Sequence, residues 1–187
     1  LDKGLKYFNK LFNQCSKVMM QIKNLPKPVV AEVQGVATAA GCQLVATCDI
    51  AVASNIAKFG VNGVNIGLFC STPMVALSRN IGRKKTFEML VTGDFMTASE
   101  AKESGLINHV VSEEELSAKT DELASKISEK FKRVVKIGKK AFYEQAEMKL
   151  ENAYDYTAKI MAENMVLDET IEGISAFIEK RDSKWTE

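Results

Sequence analysis

Hydrophobic residues recur at helical spacing over residues 4–23 and predict an amphipathic helix there. The apolar positions lie three or four residues apart and share one face: Leu5, Phe8, Phe12, Cys15, Val18, Met19 and Ile22. Pro26 and Pro28 follow, and each disfavours helical backbone at the residue before it. The pattern therefore predicts that this helix ends within residues 24–28.

Short apolar runs replace the helical spacing after the prolines and predict two strands with a helix between them. Glycines and other small residues mark the breaks between these elements. In chain order we expect a strand at 29–33, a turn at Gln34 and Gly35, a tight loop over 37–41, a buried helix over 42–46, a strand at 49–53 and an irregular stretch at 58–70.

The rest of the chain is mainly helical in its periodicity. Residues 97–100 have the spacing of a capping box, and Gly105 is expected to close the helix that follows. His109 lies in a short strand-like run, residues 106–111, where we expect a surface or edge residue and not a catalytic base. Further helices are predicted at 72–81, 84–91, 113–130 (opened by the acids of 113–115), 134–148, 150–166 and 169–180.

Composition places the chain among ordinary globular domains. Its 187 residues are 46% hydrophobic and 26% charged, and 25 Lys and Arg balance 24 Asp and Glu. The resulting net charge of +1 argues against nucleic acid as a partner. No apolar run approaches the ~20 residues that span a bilayer. The sequence opens at Leu1, so we expect the natural start, with any targeting peptide, to lie outside it.

Four cysteines and one histidine offer little metal-binding chemistry. The cysteines form no CxxC pair and have apolar or small neighbours, which is typical of buried thiols in a reducing compartment. His109 would supply a single imidazole, so we expect no metal site. Cys70 would need an activating base to act as a nucleophile, and no histidine stands near it in the sequence.

Residues 28–54 have the order expected of an anion-binding site: a strand, a glycine turn, small residues and a helix start. The first N–H groups of a helix have no partner inside it, so they can bind an anion or a carbonyl oxygen that becomes negative. Ala39, Ala40 and Gly41 would let a ligand approach this backbone closely. The same residues would also suit a helix packed tightly on a sheet, which the composition by itself favours.

Residues 27–54 resemble the signature of the enoyl-CoA hydratase/isomerase family, the crotonases. They read KPVVAEVQGVATAAGCQLVATCDIAVAS, where the family has Lys-Pro-Val-Ile-Ala-Ala-Val-Asn-Gly-Tyr-Ala-Leu-Gly-Gly-Gly-Cys-Glu-Leu-Ala and then Cys-Asp-Ile. The similarity continues in Phe59-Gly60 and Gly67, within residues 92–107 and in residues 172–181, so it covers nearly the whole chain. Residues 42–46 and 67–73 are most similar to one branch of the family.

The resemblance implies an α/β fold in which repeated ββα units form a spiral of two sheets. A C-terminal helical region makes trimers in this family, often paired as hexamers. We therefore expect a single crotonase-type domain at 1–187, with a partial ββα core at 1–82 and a mainly helical oligomerisation region at 83–187. The N-terminal part of the fold is expected to lie outside this sequence.

The resemblance also implies that two backbone N–H groups bind the carbonyl of a CoA thioester. One belongs to Ala40, which stands at the central glycine of the family's triple glycine, with Gly41 beside it. The other belongs to a loop that precedes the first long helix. Lys180 is expected near the CoA phosphates. No cofactor is implied, because coenzyme A is part of the substrate.

Two departures from the family pattern concern its acid–base chemistry. Gln43 and Gly63 stand where hydratases carry two glutamates, and neither residue can transfer a proton. We therefore expect a protein of fatty-acid metabolism that binds fatty acyl-CoA or enoyl-CoA and has weak or no hydratase activity. The alternatives are an active hydratase/isomerase-type enzyme with an unidentified base, and a non-catalytic oligomer partner. The branch similarity implies the mitochondrial matrix, whereas a bacterial protein would be cytoplasmic.

Overall fold

The computed structural model of the protein describes residues 3–184, so Leu1, Asp2 and residues 185–187 lie outside the described part. The chain forms two compact units, Leu1–Ser125 and Lys126–Glu187. The first unit holds the strands and the second is helical. The prediction of one domain with a division at residue 82 stays a prediction.

Six strands of the first unit form two three-stranded sheets. One sheet has the order β1-β3-β6, with both pairings parallel, and the other has the order β2-β4-β5, in which β4 and β5 are antiparallel. The strands are β1 (Val30–Val33), β2 (Val36–Thr38), β3 (Ile50–Ser54), β4 (Lys58–Gly60), β5 (Met96–Thr97) and β6 (His109–Val111). The first four strands thus alternate between the two sheets, whereas β4 and β5 belong to the same sheet; α2 follows β1 and β2, and a 3-10 helix follows β3 and β4.

Besides the two-residue β5, two strands were not predicted from the sequence. Residues 36–38 were expected to lead into a loop, and residues 58–60 were expected to be irregular, but they form the parallel pair β2 and β4. Each strand has three residues, too few for a period-two alternation to show. Their pairing places Thr38 beside Gly60, so the segments that follow both strands begin at the same edge of the sheet.

The α-helices of the first unit agree closely with the predicted ranges, whereas the 3-10 helix lies in the stretch that was expected to be irregular. They are α1 (Leu5–Asn24), α2 (Ala40–Thr47), a 3-10 helix (Asn62–Ile66), α3 (Pro73–Asn80), α4 (Arg83–Thr92), α5 (Ala98–Glu103) and α6 (Leu116–Ser128), which continues into the second unit. The capping box of α5 is confirmed, because Thr97 Oγ1 accepts from the N–H of Glu100 and the Glu100 carboxylate accepts from the N–H of Thr97. Residues 113–115 form a turn before α6 and not its first helical turn.

The core of the first unit lies around β3, β4 and the helices that follow them. Its largest fully buried side chains include Phe59, Leu77, Met96 and Val52. Ser54 is also buried, and its hydroxyl donates to the Gln34 carbonyl at 2.9 Å, so its polarity is satisfied. Helix α1 has the predicted apolar face, yet none of its residues is buried.

The second unit contains the end of α6 and three further helices, α7 (Lys132–Gln145), α8 (Leu150–Met165) and α9 (Asp168–Glu179). Helix α9 ends at Glu179, and Lys180 after it adopts the left-handed conformation at φ 55°. Arg181 then turns back and binds the Glu172 carboxylate through both terminal nitrogens, at 2.6 and 3.0 Å. This bidentate ion pair fixes the end of α9.

Candidate functional site

The segment that leads from β2 into α2 has a strained backbone. Ala39 adopts φ 47° and ψ −115°, a conformation that side chains disfavour. Its N–H donates to the Gly60 carbonyl at 2.9 Å, and its carbonyl accepts from the N–H of Gln43 at 3.0 Å. These two hydrogen bonds tie the start of α2 to the end of β4 and hold the first helical turn in place.

The start of α2 presents backbone donors to the outside of the unit. The helix begins at Ala40, two residues earlier than predicted, and no side chain caps it. Its first N–H groups therefore have no partner inside the helix, and Ala40 and Gly41 are both exposed. A methyl group placed on Gly41 would meet no described atom within 4 Å, so close packing does not explain this glycine. The arrangement can bind an anion or a carbonyl oxygen.

Gln43 lies one turn into α2 and is nearly inaccessible. Its residue surface is 4% exposed, and its side-chain Oε1 has no hydrogen-bond partner among the described residues. Helical side chains lean toward the N-terminal turn of their helix, and residues three apart share a face. Gln43 follows Ala40 by three residues, within one turn of α2.

Gly63 stands in the 3-10 helix that follows β4, and the structure leaves no room there for a side chain. A Cβ at this position would lie 2.2 Å from the Leu68 carbonyl oxygen and 2.8 Å from Cys70 Sγ. The Leu68 N–H also donates to the Gly63 carbonyl at 2.9 Å, which holds this backbone close. Glycine is therefore required by local packing, and a glutamate would demand a different loop.

Of the two buried thiols near these elements, Cys42 is a poor nucleophile. Cys42 and Cys70 are buried and free, whereas Cys15 and Cys48 are half-buried and free. Burial raises the pKa of the Cys42 thiol to about 12, although the Gly60 N–H opposes this effect. Cys42 is therefore protonated at neutral pH and packs as a small apolar side chain.

Asn62 supports the site, and sequence analysis assigned it no role beyond excluding it as a base. Its Oδ1 accepts from Thr38 Oγ1 at 2.6 Å, and its Nδ2 donates to the Gly93 carbonyl. Asn65 Nδ2 also reaches that carbonyl, at 3.4 Å. Asn62 thus links the end of β2 to the 3-10 helix and to the turn after α4. No local sequence signal indicates these contacts, because their partners are 24 and 31 residues away.

Lys180 belongs to the second unit. It is exposed just after the end of α9. Arg181 beside it is bound by the carboxylates of Glu172 and Glu179. The hydrogen bonds to these two carboxylates raise the pKa of Arg181, and its charge is balanced by theirs. Lys180 is thus the better placed of the two cations to meet a ligand.

Within residues 3–184, no helix has both the length and the apolar character required to cross a membrane. The same part of the chain holds no group of three or more His, Cys, Asp or Glu side chains arranged to bind a metal ion.

Comparison with known proteins identifies the family. The sequence profile described as Enoyl-CoA hydratase/isomerase matches residues 6–187. The chain is 51% identical over 183 residues to the mitochondrial enoyl-CoA hydratase domain-containing protein 3 of Mus musculus, covering 98% of this chain and 61% of the relative. The Homo sapiens protein of the same name is 49% identical over 185 residues, covering 99% and 61%. This is the branch to which residues 42–46 and 67–73 are most similar.

Solved structures agree. The crystal structure of an enoyl-CoA hydratase from Mycobacterium smegmatis superposes with a TM-score of 0.97 at 52% identity, covering 98% of this chain and 72% of that one. Human enoyl-CoA hydratase domain-containing protein 3 gives 0.95 at 50% identity, covering 97% and 72%. The chain spans about three-fifths of the length of its curated relatives. The predicted crotonase fold is confirmed, and the chain belongs to the enoyl-CoA hydratase/isomerase family.

Proposed function

We propose that the complete protein binds fatty acyl-CoA or enoyl-CoA in lipid metabolism, with the thioester carbonyl at the first turn of α2. The observation that carries this proposal is the exposed start of α2, where Ala40 and Gly41 present N–H groups without a capping side chain. A carbonyl oxygen that gains negative charge is stabilised by such donors. Exposed apolar side chains of Ile66, Leu68 and Phe69 follow Gly63 and suit an acyl chain.

Under this proposal, the complete protein hydrates enoyl-CoA weakly or not at all. Gln43 is a neutral amide that cannot take a proton from water, and Gly63 has no side chain and no space for one. Loss of one general acid–base group typically costs ~10²–10⁴-fold in rate. Binding and carbonyl stabilisation would remain, and these support an isomerisation or thioester reaction only if another base is present.

Two other functions compete with this one. An active hydratase/isomerase-type enzyme needs a carboxylate or histidine that the described residues do not place at α2. A non-catalytic oligomer partner needs no ligand at all. Measurement of binding and turnover on the same preparation separates the three possibilities.

Crotonyl-CoA hydration is the direct test of the catalytic part. The full-length protein is assayed by the loss of enoyl absorbance, with thioester binding measured by calorimetry in parallel. We expect binding with little turnover, and Gln43→Glu should raise the rate because it restores one carboxylate. Hydration by the unaltered protein at ~10 s⁻¹ or faster, the rate of an ordinary enzyme, would refute the assignment.

A substitution that removes one backbone N–H tests the proposed carbonyl-binding site. Ala40 is the first residue of α2, a position that accepts proline, and proline there removes the N–H. Ala40→Pro should weaken binding of acyl-CoA, whereas Ala40→Gly keeps the donor and should bind normally. Circular dichroism and thermal unfolding establish that both variants fold. Unchanged binding by a folded Ala40→Pro protein would exclude this N–H as the carbonyl donor.

Lys180 is proposed to contact the CoA phosphates from solvent, because a flexible ammonium can do so without burial. Lys180→Ala should weaken binding of CoA esters and reduce its salt dependence. Binding of a pantetheine ester, which lacks the nucleotide, should hardly change. Lys159→Ala, at another exposed lysine of the same unit, is the matched control. Equal weakening of both esters, or of neither, would leave Lys180 as a helix-end charge only.

We also propose that the complete protein forms a trimer, or a hexamer made from two trimers. Large apolar side chains of the second unit are exposed, including Phe177 at 84% and Ile178 at 72%. An exposed apolar surface of this kind is typical of an interface. The word mitochondrial in the names of the relatives supports a mitochondrial-matrix location for a eukaryotic protein, with the cytoplasm as the bacterial equivalent.

A further inference from the structure

The direction of the Ala40 N–H depends on the residue before it. This N–H lies in the peptide plane that joins Ala39 to Ala40, so the ψ angle of Ala39 orients it. Ala39 adopts φ 47° and ψ −115°, a conformation that a residue with a side chain keeps only where its surroundings hold it. The contacts that hold Ala39 therefore determine where the Ala40 N–H points.

One contact holds the strained turn through the backbone of Ala39 and another holds it through the neighbouring Thr38. The Ala39 N–H donates to the Gly60 carbonyl at 2.9 Å, and Thr38 lies beside Gly60 in the pairing of β2 with β4. Thr38 Oγ1 donates to Asn62 Oδ1 at 2.6 Å. The hydroxyl of Thr38 thus fixes the strand end from which the strained turn departs.

The half-buried Asn62 is itself held at its other side-chain atom. Its Nδ2 donates to the Gly93 carbonyl in the turn after α4. A carbonyl only accepts, so Nδ2 must face Gly93 and Oδ1 must face Thr38, which fixes the orientation of the amide. A Cβ placed on Gly60 would lie 2.5 Å from Asn62 Oδ1, so the amide packs directly against the residue that binds Ala39.

We propose that Asn62 is a positioning residue that keeps the Ala40 N–H directed at the thioester carbonyl. This inference rests on the proposed function, because it concerns the donor assigned there to the carbonyl. Asn62 acts through Thr38 and the strained turn, without contact to the ligand. A donor held in advance stabilises a carbonyl oxygen that gains negative charge, whereas a donor that is free to turn away loses part of this effect.

Infrared spectroscopy of bound butyryl-CoA, labelled with ¹³C at its carbonyl, tests the proposal in the full-length protein. A hydrogen bond to a carbonyl oxygen weakens the C=O bond and lowers its stretching frequency. We expect the unaltered protein to lower this frequency relative to the free ester. Asn62→Ala should move the frequency back toward that of the free ester and weaken butyryl-CoA binding about two- to tenfold, the effect of one hydrogen bond.

Thr38 gives a second way to remove the same contact. Thr38→Val removes the hydroxyl and keeps the branched shape, so it should move the frequency as Asn62→Ala does, whereas Thr38→Ser retains a hydroxyl and should rescue it. The double variant should move the frequency no further than either single one, because both remove one contact. Asn65→Ala is the matched control, since Asn65 is an exposed residue of the same 3-10 helix that reaches the Gly93 carbonyl at 3.4 Å.

Thermal unfolding of each variant separates positioning from stability. An unchanged carbonyl frequency in Asn62→Ala and Thr38→Val, whatever their melting temperatures, would make Asn62 a structural residue only and leave the proposed function standing. An equal change in Asn65→Ala would assign the effect to the turn at Gly93 and also overturn this inference. If the unaltered protein does not bind butyryl-CoA, or binds it without lowering the frequency, the proposed carbonyl site falls together with this inference. The two Thr38 variants decide the matter even if Asn62→Ala does not fold.

Discussion

Ala39 has a non-glycine side chain in a conformation that favours glycine, with φ 47° and ψ −115°. Such strain costs of order 1–3 kcal/mol in the folded state. Glycine would relieve it, but the greater backbone entropy of glycine favours the unfolded state by about 0.5–1 kcal/mol. Ala39→Gly should therefore raise the free energy of unfolding by about 1 kcal/mol, measured by urea denaturation. Ala118→Gly, at an exposed position inside α6, is the control and should lower it by a similar amount. A less stable Ala39→Gly protein would contradict the assigned backbone.

Gly63 presents the opposite case, in which the missing side chain is essential. The Cβ of Gly63→Ala would lie 2.2 Å from the Leu68 carbonyl oxygen, so the loop must move. We expect a loss of about 1–3 kcal/mol of stability in denaturant unfolding, as for other overpacked sites. Gly82→Ala meets no described atom within 4 Å and should be nearly neutral. If Gly63→Ala were also neutral, the close approach of Leu68 would be wrong.

This packing also affects attempts to restore hydratase chemistry. Exchange of both Gln43 and Gly63 for glutamate would place a large side chain where the structure admits not even a methyl group. Gln43→Glu alone is therefore the informative variant, and a second carboxylate would need a redesigned loop between the 3-10 helix and α3.

Among the helices and strands, α9 is the one whose stability depends most clearly on an ion pair. Glu172 accepts from Arg181 and from the N–H of Lys184, and these hydrogen bonds lower the pKa of its carboxyl to about 2 from its usual 4.5. A carboxyl whose pKa is depressed by folding stabilises the fold fully above its unfolded pKa and loses that effect as pH falls through its folded pKa. The end of α9 should therefore loosen between about pH 4.5 and pH 2.

Amide hydrogen exchange over residues 180–184, followed across this pH range, measures the effect. Glu172→Gln should give faster exchange already at neutral pH and a flatter pH dependence, because the bidentate ion pair is lost. Glu163→Gln, at an exposed position of α8, should behave like the unaltered protein. A normal carboxyl pKa for Glu172 by NMR titration would contradict the ion pair.

At the scale of the whole molecule, each unit exposes apolar surface that a soluble monomer rarely leaves open. In the second unit the exposed side chains include Leu150, Tyr154, Met161, Phe177 and Ile178. We predict that the full-length protein is a trimer by light scattering at micromolar concentration. Phe177→Asp should shift it toward monomer, since a buried unpaired charge is costly, and Lys159→Asp is the exposed control. A monomeric unaltered protein would refute the assembly.

The sequence by itself determined the elements whose signals are local. The three- and four-residue spacing of α1, the capping box at Thr97 and Glu100, and the periodic helices of the second half all appear within a few neighbouring residues. The family was also recognised from residues 27–54, a continuous segment that carries β1, β2, α2 and β3. The substitutions at Gln43 and Gly63 are likewise read directly from the chain.

Features that depend on contacts between residues far apart in the chain were determined only by the tertiary structure. Strands β2 and β4 are too short to carry a pattern and exist because they pair with each other across 22 residues of separation, as in Val36 with Lys58. The strain at Ala39 is held by the Gly60 carbonyl, and the space at Gly63 is filled by Leu68 and Cys70. The side-chain Oε1 of Gln43 is buried without a hydrogen-bond partner among the described residues. Burial and hydrogen bonding are properties of the assembled neighbours, so no single segment of sequence contains them.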